Sequence, residues 1–205
     1  MFNIILKSVI LMCVILQISC MNECPSVVTF KEWRGSEQAY EQKLHRPVKW
    51  VIIQHTVTET CNSDETCESI VQQMDNFFMN QFERHISYNF LIGGNGKVYE
   101  GAGWKYEGFH TLRYNSLSVG ISFIGNYNID EPTEEQLKVA QNLIRCGVSE
   151  EHLVSDYHLV GHRQLVQTIS PGDNLYREIQ SWPNFLASKD PYNLFLSIDP
   201  KINRS

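Results

Sequence analysis

Residues 48–57 constrain the fold most. Val48-Lys49-Trp50-Val51-Ile52-Ile53-Gln54-His55-Thr56-Val57 is a nearly unbroken β-branched and apolar run, the pattern of a strand covered on both faces. Neighbouring segments must then supply the covering layers. Cys67, Ile70, Val71, Met74, Phe77 and Phe78 recur at three- and four-residue spacing, predicting an amphipathic helix over about 65–83. Residues 87–92 and 97–100 read as short strands joined through Gly93-Gly94-Asn95-Gly96, whose Asn-Gly pair suits a tight hairpin. Residues 119–124 form another apolar strand. Thr133 and Gln136 make a capping-box signature, Leu137, Ala140, Leu143 and Ile144 face inward, and Gly147 is expected to stop that helix. Residues 157–161 read as a short strand. Asp173 is expected to cap a last helix, in which Leu175, Ile179 and Trp182 share a face before Pro183 ends it. Strands mixed with three helices at irregular spacing imply an α/β sheet covered by helices rather than a sandwich.

A length of 205 residues favours one domain able to bury its own core. Residues 1–20 read as a secretory signal: Lys7 is the early charge, an apolar run follows, and Ser19-Cys20 offers small residues for cleavage. The run is too short to span a bilayer; a retained anchor is the alternative. A net charge of -6 without a basic stripe argues against a nucleic-acid partner. Sugars, which are recognised by hydrogen bonds and aromatic faces, are not excluded. Cys13 and Cys20 fall in or beside the signal, leaving Cys24, Cys61, Cys67 and Cys146, an even set suited to an oxidising compartment. These four allow three connectivities. Cys61 and Cys67 flank a polar loop, which suits a short local bridge, and Cys24 with Cys146 would tie the N-terminal arm to a helix end. No C-x-x-C pair supports a zinc cluster instead.

Five segments carry a resemblance: Val51-Ile52-Ile53-Gln54-His55-Thr56, Tyr88-Asn89-Phe90-Leu91-Ile92-Gly93, Tyr99-Glu100-Gly101-Ala102-Gly103-Trp104, Gly161-His162-Arg163, and Thr168-Ile169-Ser170-Pro171-Gly172-Asp173. Together they resemble the peptidoglycan recognition protein family, whose hydrolytic members are zinc amidases. The resemblance covers roughly residues 24–185. It implies a central mixed β-sheet flanked by about three helices, with a ligand groove on one face. It agrees with pairing Cys61 to Cys67 and Cys24 to Cys146. It divides the chain into a signal (1–20), a recognition domain (21–185) and a tail (186–205) that continues past the usual family end.

The hydrolytic members read His-His-Thr on the strand and Thr-x-Cys-Pro-Gly in the late loop. Gln54 stands for the first histidine and Ser170 for the cysteine, so of the implied zinc positions Gln54, His162 and Ser170 one good donor survives. An amide oxygen and a protonated hydroxyl do not replace imidazole and thiolate. His55 follows the ligand position on the strand and should point to the opposite face. Tyr88 and Thr168, which the amidase mechanism also uses, remain. A Ser170 nucleophile with His162 as base is not supported, because Ser170-Pro171-Gly172 is no nucleophile elbow.

By resemblance, ligand contacts come from His55 and Thr56 at the strand end and from Tyr88 in the middle. Trp104, Lys105, Tyr106, His110 and Thr111 form a loop region, with Tyr114 and Asn115 after it and His162 and Thr168 on the far side. Trp104 and Tyr114 are equally readable as core. Ala102 occupies a position where members preferring diaminopimelate stems usually carry arginine, which points to a lysine-type stem or an unselective site. Phe78 stands where relatives often carry histidine. The implied protein is a secreted, extracellular innate-immunity receptor that binds bacterial peptidoglycan or muropeptides without hydrolysis. It needs no cofactor, has no membrane span, and acts through a downstream protease or co-receptor. A zinc-dependent N-acetylmuramoyl-L-alanine amidase is the alternative reading, and an adaptor that binds another receptor is a third.

Overall fold

The computed structural model describes residues 24–34 and 40–187. Residues 1–20 and most of the 186–205 tail fall outside them. Six strands form one sheet in the order β1-β4-β3-β5-β2-β6. They are β1 (Val27–Val28), β2 (Val48–His55), β3 (Phe90–Ile92), β4 (Val98–Glu100), β5 (Ser118–Phe123) and β6 (Leu153–Gly161). β3 and β4 pair antiparallel and the other neighbours are parallel. The sheet is therefore mixed, as expected. β2 sits between β5 and β6, and every residue of it except Lys49 is buried. That is why its sequence lacks the alternation of a half-exposed strand.

Four helices cover the sheet: α1 (Phe30–Arg34), α2 (Asp64–Phe82), α3 (Glu134–Ser149) and α4 (Asp173–Ile179). Ser63 caps α2 by a reciprocal box with Thr66, and Thr133 caps α3 through Gln136. The largest core cluster joins Val51 and Ile53 of β2 to Ala140, Leu143 and Ile144 of α3 and Leu175 of α4; each of these valine, leucine and isoleucine side chains contributes about 1.5–3 kcal/mol on burial. On the opposite face Phe30 and Trp33 of α1 pack with Cys67 and Val71 of α2. A third cluster of Trp50, Ile52, Tyr114 and Val160 lies on this same face. Cys24 bonds Cys146 and Cys61 bonds Cys67. The first closes a span of 122 residues, worth about 4–5 kcal/mol through the restricted unfolded chain.

Several expectations need correction. α3 continues through Gly147 to Ser149; Gly147 is there for packing, since a Cβ would meet the Trp104 ring at 2.5 Å. Asp173 does not cap α4. The N-cap is Gly172, without a side-chain bond, and Asp173 instead accepts from Arg163 at 2.6 Å. α4 stops at Ile179, so Trp182 and Pro183 lie beyond its end. β3 starts at Phe90 rather than 87, and β6 starts at Leu153 rather than 157. Phe77 is 56 % exposed, so the apolar stripe of α2 outruns the core it covers.

Candidate functional site

The carboxyl ends of parallel strands are where open α/β sheets bind ligands, and β2, β5 and β6 end side by side. Ile53 pairs with Gly161 in parallel register; Gln54 follows the first on β2, and His162 follows the second as the opening residue of a short 3-10 turn, close enough to His110 to act on its charge. The Gln54 side-chain amide donates to His110 Nδ1 at 3.0 Å and to Thr111 Oγ1 at 3.4 Å. With Nδ1 accepting, the His110 proton sits on Nε2, which is buried and without a partner among the described residues. The ring can lie over β5 because residue 120 is glycine: a Cβ there would meet the imidazole at 2.5 Å. Thr111 N donates to Asn115 Oδ1 at 2.8 Å, fixing the loop. Ser170 Oγ accepts from His55 N at 3.3 Å, Ser170 O accepts from Arg163 N at 2.8 Å, and Ser170 N donates to Thr168 Oγ1 at 3.2 Å. Positions 54, 110, 111, 162, 168 and 170 thus converge, although more than a hundred residues separate the first from the last.

Burial pushes the His110 imidazole down to about 3, helped by nearby His162. It holds His162 at about 4. His55 is also lowered to about 4, by burial first and then by Arg163 and His162. All three rings are neutral at pH 7. Burial raises the Tyr88 phenol, opposed by the Ser122 hydroxyl. The unfolded chain would titrate these histidines near 6.5. Between pH 6.5 and about 4 it binds more protons than the folded protein, so stability is full above this window and falls as pH drops through it. Urea unfolding at pH 5 should give a stability at least ~2 kcal/mol below that at pH 7.5. A flat profile would contradict the buried neutral trio.

Beside this cluster opens a cavity of about 470 Å³, with Thr56, Glu59 and Tyr88 on one side and Met74, Phe77 and Phe78 of α2 on the other. Thr56 and Tyr88, expected ligand contacts, line it. His55 does not: Val51 and Ile53 share its face, and its Nδ1 accepts from Tyr127 N at 3.2 Å. Trp104 also packs away from the cavity, 4.8 Å from the Phe90 ring and stacked on His152 at 4.9 Å. Tyr114 is 2 % exposed in the third core cluster. Lys105 lies 4.9 Å over the Tyr106 ring, and Tyr106 stacks on Tyr40 at 6.1 Å. Ala102 is buried, its N–H bonded to Tyr88 O. Among the described residues no group of three or more His, Cys, Asp or Glu side chains is placed to hold a metal ion. No helix among them is long and apolar enough to cross a membrane. The exposed aromatic edge of α2 formed by Phe77 and Phe82, whose rings lie 6.2 Å apart, was not anticipated as part of a site. Its signal was the apolar stripe of α2 running past Val71 into Phe82.

A protein-family profile described as N-acetylmuramoyl-L-alanine amidase matches residues 44–173. A peptidoglycan recognition protein of Trichoplusia ni is 53 % identical over 161 residues, spanning 78 % of this chain and 88 % of its own. The solved PGRP-SA of Apis mellifera superposes with a TM-score of 0.77 at 39 % identity, covering 80 % of this chain and 99 % of its own. The solved peptidoglycan recognition protein-LE, in complex with tracheal cytotoxin (monomeric diaminopimelic acid-type peptidoglycan), gives a TM-score of 0.75 at 40 % identity. It covers 78 % of this chain and 95 % of its own. On this family match, these identities and this coverage, the chain belongs to the peptidoglycan recognition protein family.

Proposed function

We propose that this protein is a secreted receptor that binds bacterial peptidoglycan or its muropeptides in the groove beside α2 and does not cleave them. The observation that carries the reading is the Gln54–His110–Thr111 hydrogen-bonded cluster, standing where the resemblance puts a zinc shell. Catalytic zinc takes about three protein ligands plus an open position, and its affinity comes from several deprotonated donors acting together. Gln54 brings a neutral amide already engaged with His110. Ser170 brings an alcohol already accepting from His55 N. His162 alone is a strong donor, so the residues present do not fit the ion.

What remains suits binding. A concave surface with aromatic walls and a few fixed polar groups is the general form of a small-ligand site, and Thr56, Tyr88, Phe77 and Phe78 supply that mixture. Peptidoglycan recognition protein-LE, of similar fold, holds a monomeric peptidoglycan, which supports a ligand of this class here. Secretion rests on the signal-like residues 1–20 and on the two disulfides, which suit an oxidising compartment. On this reading residues 21–185 are the recognition domain, and the bound complex engages a downstream protease or co-receptor. Titration of purified protein with defined muropeptides should saturate with a Kd of about micromolar or tighter. Lysine-type stems should bind at least as well as diaminopimelate-type ones. No saturation at millimolar ligand would refute the proposal.

A further inference from the structure

Between α3 and β6 lies another cavity, on the face of the sheet away from α2. It holds about 400 Å³ and is walled by Ile144, Arg145 and Val148 of α3, Tyr157 of β6, and Trp182 and Pro183. Its walls are fixed. Tyr157 Oη donates to Pro183 O at 3.5 Å, and Asn184 Nδ2 donates to Ser155 O at 3.1 Å. Asn184 takes the left-handed conformation at φ 60, and the chain then lies along the outer edge of β6. There Leu159 N donates to Asn184 O and Leu186 N donates to Leu159 O, each at 2.9 Å, forming a parallel bridge between Leu159 and Phe185. Val148 packs against the largest core cluster yet is only half-buried. A covering segment would remove this apolar surface from water.

Residues 188–205 continue the chain from this edge. In Tyr192-Asn193-Leu194-Phe195-Leu196-Ser197-Ile198 every second residue is large and apolar, and Phe195 adds another ring. That is the period of an extended segment covering an apolar surface with one side. Asp190-Pro191 before it is a turn signal. The path needs one, because the parallel bridge carries the chain past the groove toward the carboxyl end of β6. Residues 188–191 span up to ~13 Å when extended, enough to return over the ~7 Å of β6 between Leu159 and Tyr157. The charges match as well. Arg145, which donates to Asn142 Oδ1 at 2.9 Å, stands at the rim, and Asp190 and Asp199 flank the apolar run. A tethered segment meets its site at an effective concentration of about millimolar, which favours it over a second copy or another protein. We infer that residues 192–198 dock in this groove, with Tyr192, Leu194, Leu196 and Ile198 turned toward α3 and Trp182. The inference is independent of the proposed function, since the groove and the ligand cavity lie on opposite faces of the sheet.

The test is run on the full protein by two readouts. In the first, Tyr192→p-benzoylphenylalanine is irradiated at micromolar concentration. Adducts should form within one chain and map to residues 141–149 or 182–184. Adducts on α2, adducts joining two chains, or no adduct within a chain would overturn the docking. In the second, amide hydrogen exchange at residues 192–198 should run at least about tenfold slower than in a free peptide of the same sequence. The double variant Leu194→Asp, Leu196→Asp should lose most of that protection, while Ser197→Asp, on the other side of the segment, should keep it. Free-peptide rates in wild type, or protection that survives the double variant, would also overturn the docking. Muropeptide affinity should be the same in wild type and the double variant. A loss of affinity there would put the run at the ligand cavity instead, leaving the proposed function standing and this inference refuted.

Discussion

The double variant Gln54→His, Ser170→Cys should bind one zinc ion per chain, at least ~10³-fold more tightly than the parent protein. Positions 54 and 162 each directly follow the paired residues Ile53 and Gly161, and residue 170 is tied to the end of β2 through His55 N and to the turn after β6 through Arg163 N. Three strong donors would then converge on one point. The change has a local cost, because the amide that bonds His110 and Thr111 is lost, and apo stability should fall slightly. Zinc-dependent thermal stabilisation of the variant, with none for wild type, is the readout. If the parent protein binds zinc as tightly as the variant, the account of its vacated shell is wrong.

The second large effect concerns a buried carboxylate. Asp75 is fully buried on α2. It accepts from Arg34 Nε of α1 at 2.9 Å and from Ile86 N at 2.8 Å, and lies 3.1 Å from His85 Nδ1. It joins the short α1 and the turn after α2 to the helix itself. Removing one partner of such a network leaves buried groups unpaired and typically costs about 3–5 kcal/mol. Arg34 is about one-third exposed and can resolvate, so the low end applies. Asp75→Ala should lower stability by about 3 kcal/mol and Tm by roughly 6–12 °C. A loss below ~1 kcal/mol in urea unfolding would show that the network is dispensable.

The helices and strands that were legible are those whose burial imposes a strong period. β2 was readable because both its faces are covered, α2 because an apolar stripe marks it, and α3 because a stripe and a capping box do. β1 and α1 were not, since two and five residues are too few to display a period. Gly147 was misread because a glycine required by the Trp104 ring looks the same in sequence as one that ends a helix. Phe77 and Phe78 illustrate a similar ambiguity: helical spacing places them on one stripe but does not say whether a core or a groove lies beneath it. For the site, pleat alternation correctly separated Gln54 from His55. The bond from Gln54 to His110 spans 56 residues and the approach of Ser170 to His55 N spans 115. Contacts at such separation come from the sheet order, which no local pattern encodes.

The most direct test of the central claim is a single incubation of the purified protein with insoluble peptidoglycan in zinc-containing buffer at neutral pH. The pellet is assayed for bound protein and the supernatant for released stem peptides. Protein is expected in the pellet, with no stems above the buffer blank. Stem peptides accumulating with time, or protein remaining wholly in the supernatant, would contradict it.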